Sequence, residues 1–299
     1  MKEVGYFAEN KECVQNKPYV VSADIKTLLE LWSVEKGYTL PDSGFFKQLR
    51  TDFVSRMTSI FPGFELVSED ELSSGLTEMV KENNVFPVSL DRVYYRSQPS
   101  LDITRVVDSN GNSRGLGKRA ESSLLLSQFR ELKNRGLTKI ALVDDVIFTG
   151  DLLERVSGVL EKMGIEVPII YAGIGISEGI DKLTATGRQV FCVKKYPKVI
   201  DEVCERDFYP GVPLSGRLVD DSNTGAPYIL PFGNPVEWAS IPQKSQVSFS
   251  RFCINQTICL FTAIEDASGK VVSCTDVERK VIGMPRGNTR FVDALKVFI

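Results

Sequence analysis

Residues 139–156 have the sequence KIALVDDVIFTGDLLERV, in which an apolar run ends in two adjacent acids and is followed by a Thr-Gly turn. The apolar run predicts a buried strand, and the apolar spacing from Leu153 onward predicts a helix. Because the carboxyl ends of parallel strands face the ligand crevice, we expect Asp144 and Asp145 to project there. The free N–H groups at the start of the helix predict an anion site at residues 148–152, so a sugar phosphate would suit both halves of the stretch.

Composition narrows the chemistry that is open to this protein. The chain has 299 residues, a formal net charge of −3 and no histidine. The length allows one large or two smaller domains, and the charge gives no overall positive field that would attract nucleic acid or an anionic membrane. The absence of histidine excludes Ser-His-Asp and Cys-His chemistry, so catalysis would have to use carboxylates, lysine, tyrosine, cysteine or an oxygen-binding ion such as Mg²⁺.

Two further features predict where the protein resides. The start of the chain, MKEVGYFAENKECVQ, lacks the apolar centre of a signal peptide, and no apolar run approaches the roughly 18 residues of a membrane span. We therefore expect a cytoplasmic protein without a membrane partner. Cysteines are scattered without a C-x-x-C pair, which favours reduced thiols over a zinc cluster or disulfides. They are Cys13, Cys192, Cys204, Cys253, Cys259 and Cys274.

Periodicity divides the chain into three predicted regions. Residues 1–84 form a helical segment, with helices expected in ADIKTLLELWSVEKG, DSGFFKQLRTDFVSRM and SEDELSSGLTEMVKEN. In the third of these, Ser68 and Glu71 form a capping-box pattern. Residues 85–204 alternate strand and helix, which predicts an α/β core with a largely parallel sheet and flanking helices. Residues 205–299 predict an irregular α+β region, a hood or partner-binding domain, in which FCINQTICLFTAI is expected to be a strand.

One glycine-rich segment stands apart within the core. DSNGNSRGLGKRAES, residues 108–122, contains three glycines and three basic residues. This composition predicts a mobile loop.

The stretch IALVDDVIFTGDL resembles the phosphoribosyl pyrophosphate-binding motif of type I phosphoribosyltransferases. That motif has four mostly apolar residues, two acids, two apolar residues, a variable residue, Thr-Gly, another variable residue, and Thr or Ser. The resemblance implies a type I phosphoribosyltransferase-like core in which the acids, here Asp144 and Asp145, bind the ribose hydroxyls directly or through Mg²⁺-bound water and act in catalysis. It implies that the following turn binds the 5-phosphate. The residues of that turn are Phe148, Thr149, Gly150, Asp151 and Leu152.

The resemblance also implies how pyrophosphate would be held. The family closes a flexible loop over pyrophosphate, and the glycine-rich segment supplies basic side chains at that place, although a solvated surface loop explains them equally well. These side chains are Arg114, Lys118 and Arg119. The family's separate pyrophosphate-binding turn has no clear counterpart, since the connection after residue 88 is short. Its weak candidates are Ser89, Asp91 and Arg92.

A base-binding hood is the remaining element that the resemblance implies. The run CERDFYPGVPLSGR follows the core, and in the family a variable hood beside the sheet binds the base by stacking and hydrogen bonds. Arg206, Phe208 and Tyr209 are the candidates. The alternative is a loop whose aromatic rings pack onto the core, and the same alternative applies to Trp238.

Two departures from the motif separate the functional hypotheses. Leu152 replaces a phosphate-binding hydroxyl, which removes a hydrogen bond of about 1.5–3 kcal/mol, and Asp151 adds a carboxylate near the phosphate. One hypothesis is an enzyme that transfers ribose 5-phosphate from phosphoribosyl pyrophosphate to a nitrogenous base with Mg²⁺. The other is a non-catalytic ligand-sensing or regulatory protein that keeps the fold and a phosphate or nucleotide site. Both predict small-molecule partners, neither predicts nucleic acid, and a homodimer is open to either.

Overall fold

A computed structural model describes the fold of residues 17–90, 92–119, 122–220 and 223–299. The predicted N-terminal helices are confirmed, and two strands that the periodicity did not indicate accompany them. Ser68 accepts a hydrogen bond from the N–H of Glu71 at 3.2 Å, as the capping pattern predicts. In chain order the elements of this region are β1 (Tyr19–Ser22), α1 (Ile25–Lys36), α2 (Ser43–Ile60), β2 (Phe64–Val67) and α3 (Glu69–Lys81).

The middle of the chain confirms the predicted alternation of strand and helix. Strands β3, β6, β7 and β8 form a parallel sheet in that order, with helices in the connections. The elements are β3 (Phe86–Ser89), β4 (Ile103–Val107), β5 (Ser113–Lys118), α4 (Leu125–Asn134), β6 (Lys139–Ile147), α5 (Asp151–Lys162), β7 (Glu166–Ile176), α6 (Ser177–Ala185), β8 (Gln189–Tyr196) and β9 (Asp201–Cys204).

The last third of the chain adds short strands and one long helix. A mixed sheet has the order β12-β11-β10-β4-β5, so it combines strands of the middle region with strands that follow it. The elements are β10 (Arg217–Val219), β11 (Thr224–Ala226), α7 (Pro235–Trp238), α8 (Gln246–Ser268), β12 (Lys280–Val281) and α9 (Phe291–Lys296).

Strand β6 is buried on both faces, which explains its continuous apolar sequence. Ile140 and Leu142 belong to one core cluster, whereas Ala141 and Val143 belong to the other. Successive side chains of a strand point to opposite faces, so the same alternation sends the two acids that follow to opposite sides of the sheet. Strand β3 ends opposite Val143, and the acids therefore extend past the end of the neighbouring strand.

A second parallel sheet joins distant parts of the chain. Strand β1 lies between β2 and β9, with Ser22 paired with Val67 on one side and Cys204 on the other. One core cluster contains residues from before position 84, from the middle region and from after position 204. The domain limits at 84 and 204 stay a prediction, but the regions share this core.

The expected strand FCINQTICLFTAI is wrong, because these residues lie in helix α8. The buried positions Phe249, Cys253, Leu260 and Ile264 recur at helical spacing and face the core. The helical spacing of apolar residues begins before the predicted strand. A window limited to the stretch FCINQTICLFTAI is rich in β-branched and aromatic residues, and this content alone predicts a strand. By length and composition alone, residues 243–268 could also cross a membrane, a test that a buried core helix passes equally.

The glycine-rich segment is also ordered differently from its prediction. Residues 113–118 form β5, which pairs antiparallel with β4. The turn between them is closed by Asp108, whose Oδ1 accepts hydrogen bonds from the N–H groups of Asn110 and Asn112, each at 2.9 Å. This side-chain turn and the pairing with β4 order residues 113–118 as a strand, although their glycine content predicts a loop.

Candidate active site

A cavity of about 170 Å³ opens at the carboxyl end of β6. Asp144, Asp145 and the turn into α5 line one side, and we call this cavity the acid cleft. The end of β9, strand β4 and the segment after residue 204 supply the other walls. The acid pair and the turn, inferred from sequence to act together, thus share one cavity.

Asp145 belongs to a buried ionic network. Its Oδ2 lies 3.2 Å from Nη2 of Arg206 and accepts a hydrogen bond from the Cys204 thiol at 3.5 Å. Its Oδ1 accepts from the N–H of Val146 at 2.8 Å. The same arginine binds Asp24, whose pKa is raised by burial although the arginine opposes the shift. Asp145 is therefore held in one orientation by protein contacts.

Asp144 follows the opposite face of the strand and is 9% exposed at the wall of the acid cleft. With Asp145 it places two carboxyl groups at one end of the cavity, where ligand hydroxyls or a ligand-bound cation would be met by oxygen acceptors. Among the described residues, no group of three or more acids or cysteines is arranged to hold a metal ion by itself. A cation at this place would have to arrive with a ligand and water.

The turn between β6 and α5 has the geometry of an anion cradle. Gly150 has φ 77°, and a Cβ there would meet the carbonyl oxygen of Gly179 at 3.0 Å, so glycine is required. In the described part of the chain, the N–H groups of Leu152 and Leu153 have no acceptor, as expected for the first turn of a helix. An anion could use these groups together with the positive end of the helix.

The charge of Asp151 is compensated within the turn. Its carboxylate accepts hydrogen bonds from Lys182 and from the Thr149 hydroxyl, the latter at 2.8 Å, and both lower its pKa. Lys182 also pairs with Glu154 at 2.8 Å. A nearby cation therefore reduces the repulsion that Asp151 would otherwise exert on a phosphate. Leu152 is half-buried and packs against the core below α5.

Of the three basic residues predicted to hold pyrophosphate, the structure places one in the acid cleft. Arg119 lines it and donates to the carbonyl oxygens of Ile103 and Leu90 at 3.1 and 3.2 Å. Arg114 is exposed and pairs with Asp108 at 3.2 Å, away from the residues that line the cleft. Lys118 lies at the end of β5 and does not line it either.

Of the weak candidates for a second pyrophosphate turn, the two that the structure describes are engaged in other contacts. Ser89 is buried, and its side chain and N–H bond to the Ser97 hydroxyl. Arg92 is exposed and pairs with Asp102 at 2.6 Å. Asp91 lies outside the described residues, as does Cys13. The five other cysteines are unpaired thiols.

Among the expected hood residues, Arg206 reaches the acid cleft while the two aromatic rings do not. Phe208 is fully buried, with its ring 5.5 Å from that of Phe53 and 5.4 Å from that of Phe249. Tyr209 is equally buried beside Phe53. The expectation that these rings stack on a base does not fit this placement, because both rings are buried in the core and neither lines the acid cleft.

The site contains charged residues that sequence patterns did not single out. Arg105, Arg217 and Arg279 line the acid cleft from β4, β10 and the segment before β12. Arg279 donates to the carbonyl oxygens of Ser215 and Gly216, both at 3.1 Å, and burial lowers its pKa to about 10. Only tertiary folding brings these residues to one cavity. One local feature of the sequence indicates the site, since Arg105 lies inside the mostly apolar strand sequence ITRVV.

Glu202 is the acid with the most altered environment at this site. It lies on β9, and its Oε1 accepts a hydrogen bond from the Ser22 hydroxyl at 2.9 Å. Burial, and then the neighbouring Asp145, raise its pKa to about 8. Such a shift in a cleft marks Glu202 as a functional candidate, although no sequence pattern indicates it.

Comparison with known proteins gives partial matches to solved structures. No protein-family model and no curated protein matches the chain. An adenine phosphoribosyltransferase from Thermoanaerobacter pseudethanolicus matches 42% of this chain and 79% of its own, with 14% identity and a TM-score of 0.27. An orotate phosphoribosyltransferase from Aeropyrum pernix matches 42% and 68%, with 16% identity and a TM-score of 0.25. For the Leishmania donovani UMP synthase the shares are 42% and 27%, with 11% identity and a TM-score of 0.28.

Proposed function

We propose that the acid cleft binds phosphoribosyl pyrophosphate or a nucleotide through its ribose 5-phosphate part. The observation that carries the proposal is the placement of Asp144 and Asp145 past the end of β3, in one cavity with the turn that begins α5. Hydroxyls of a ribose would meet the carboxyl oxygens, and the 5-phosphate would meet the N–H groups of the turn. The resemblance of residues 140–152 to the phosphoribosyl pyrophosphate motif supports the same ligand.

We further propose that the protein transfers ribose 5-phosphate to a nitrogen of a base. The bond from the ribose carbon to the pyrophosphate oxygen would break, with its electron pair leaving on pyrophosphate. The bond from the same carbon to the nitrogen would form, and the proton of that nitrogen would pass to the released pyrophosphate or to water. Asp144 and Asp145 would stabilise the positive charge that develops on the ribose, and Arg119 and Arg279 would face the leaving anion. Mg²⁺ bound to the pyrophosphate would add positive charge there, with the two acids reaching it through water.

The alternative is a sensor that binds the same ligand without turnover. Two observations favour it: Leu152 offers no hydroxyl to the phosphate, and Asp145 is committed to the pair with Arg206. A cytoplasmic location and a homodimer are compatible with the enzyme and with the sensor, so we keep these two properties in the proposal.

Calorimetry with phosphoribosyl pyrophosphate, with and without Mg²⁺, tests binding, and pyrophosphate release in the presence of added bases tests transfer. The enzyme hypothesis predicts Mg²⁺-dependent binding and base-dependent pyrophosphate release. Binding without release for any purine, pyrimidine or pyridine base would favour the sensor. Absence of binding at millimolar ligand would contradict both.

A further inference from the structure

A second cavity, of about 470 Å³, adjoins the acid cleft across the turn that begins α5. We call it the aromatic cleft, because Tyr228 and Trp238 line it together with apolar residues of β4, β5 and the turn. Arg105, Glu202 and Arg217 border both cavities, so the two cavities are adjacent. The acid pair does not border the aromatic cleft.

Arg217 is held in place by two aromatic rings. Its guanidinium carbon lies 4.7 Å from the ring centre of Trp238 and 5.3 Å from that of Tyr228. The two rings meet edge to face at 5.5 Å. Cation–π contacts hold the guanidinium between the rings, and its Nε is buried with no acceptor among the described residues. An arginine held in this way at the wall of both cavities is suited to bind a carboxylate through its terminal N–H groups.

Arg105 provides a second cation at the junction of the cavities. Its side chain is exposed and makes no hydrogen bond or ion pair within the described parts of the chain. The walls of the two cavities partly desolvate the guanidinium, which opposes its charge, but nearby groups, Tyr228 and Asp145 first among them, raise its pKa. A further arginine, Arg155 of α5, borders the aromatic cleft.

The acids of the aromatic cleft do not cancel these cations. Asp151 is paired with Lys182. Asp201 accepts a hydrogen bond from Ser240 at 2.8 Å, and burial raises its pKa. Burial also raises the pKa of Glu202, to about 8. Glu237 is exposed at the rim of the cleft. The cleft therefore favours an anion, and its aromatic and apolar walls favour a planar ring.

We propose that the aromatic cleft binds a planar heterocycle that carries a carboxylate, with the carboxylate on Arg217 and Arg105 and the ring against Trp238. Its role as the acceptor of ribose 5-phosphate rests on the function proposed above, because that role needs the neighbouring acid cleft to hold the donor. The binding site itself does not depend on that function.

Matched ligand pairs test the proposal on the full chain. Nicotinate and nicotinamide differ in a carboxylate against a neutral amide, and orotate and uracil differ in the presence of a carboxylate. Calorimetry is expected to show that the acid of at least one pair binds about 10- to 100-fold more tightly than its neutral partner. The fluorescence of Trp238 should change on binding, and Trp238→Phe should remove that change, since the other tryptophan, Trp32, is buried elsewhere.

Two arginine variants locate the preference. Arg217→Gln and Arg105→Gln should each reduce the preference for the acid by about tenfold, whereas Arg135→Gln, an exposed arginine of the surface near α4, should leave it unchanged. Arg105→Gln changes an exposed side chain and decides the matter if Arg217→Gln does not fold. Equal binding of acid and neutral ligand in both pairs, or a preference that both variants retain, would overturn the proposal. Binding of the acid should survive Asp144→Asn with Asp145→Asn, so this site and the phosphoribosyl pyrophosphate site fail separately.

Discussion

Among the single residues of the acid cleft, Glu202 is an acid whose pKa is raised, to about 8. Its carboxyl group lies beside Asp145, where ionisation of both groups would place two negative charges in one partly buried cavity. No short sequence pattern reports this, since Glu202 and Asp145 are on strands of different sheets. Asp144 and Asp145 could be predicted because strand, acids and turn are contiguous in the chain.

The raised pKa of Glu202 predicts a pH-dependent effect on stability. Between its ordinary pKa and about 8, the folded protein holds a proton on Glu202 that the unfolded chain releases, so the contribution of Glu202 to stability falls as pH rises. Replacement by glutamine removes this dependence. Glu202→Gln should therefore raise the melting temperature relative to the unmodified chain more at about pH 9 than at about pH 6.

The control for this prediction is Glu131→Gln, which changes an exposed acid paired with exposed Arg135. Its effect should vary little over the same pH interval. A Glu202→Gln variant whose relative stability is the same at both pH values would show that the group is ionised in the folded protein.

At the scale of elements, helix α1 depends on acids that are distant in sequence. Asp24, at its N-terminus, makes no side-chain cap; instead Glu205 accepts from the N–H groups of Asp24 and Ile25 at 3.2 and 3.5 Å. Glu205 is fully buried and is also bound by Arg50, with contacts of 3.1 and 2.9 Å. An acid from after the core thus caps a helix before it.

Removal of that acid should be costly. Glu205→Gln leaves Arg50 with Glu69 alone and weakens the helix cap, so we expect a loss of about 3 kcal/mol in the free energy of unfolding, measured by urea denaturation. Glu30→Gln changes an exposed acid of the same helix and should have an effect below about 0.5 kcal/mol. Similar losses in the two variants would contradict the role assigned to Glu205.

The elements also show which secondary structures local sequence patterns predict and which they do not. Strand β8 matches its predicted stretch QVFCVKKY because β-branched and aromatic residues are concentrated there. Local patterns do not predict strand β5, because it is ordered by pairing with β4. They do not predict α8 as a helix, because its buried face is set by contacts with residues that are distant in sequence. Sequence patterns therefore predicted the elements with local signals, and tertiary pairing decided the others.

At the scale of the whole molecule, the site is completed by the chain on both sides of the α/β core. The core supplies the acid pair and the turn, whereas Arg206, Arg217 and Arg279 come from the C-terminal region and Asp24 from the N-terminal region. The parallel sheet could be predicted from alternating elements. Arg206 could be chosen as a candidate because it directly follows the core, whereas nothing in the local sequence of Arg217 and Arg279 indicates that folding brings them to the acid cleft.

The most direct test of the central claim is the double variant Asp144→Asn with Asp145→Asn, in which phosphoribosyl pyrophosphate binding with Mg²⁺ and the melting temperature are measured together. The change loosens the pair with Arg206, so some loss of stability is expected, and Asp24→Asn loosens the same arginine from outside the cleft as a control. We expect the double variant, still folded, to bind at least about tenfold more weakly because two charges that attract the cation and the ribose are gone. We expect Asp24→Asn to melt lower and to retain binding. A folded double variant that binds phosphoribosyl pyrophosphate as tightly as the unmodified protein would contradict the claim that these acids hold the ligand.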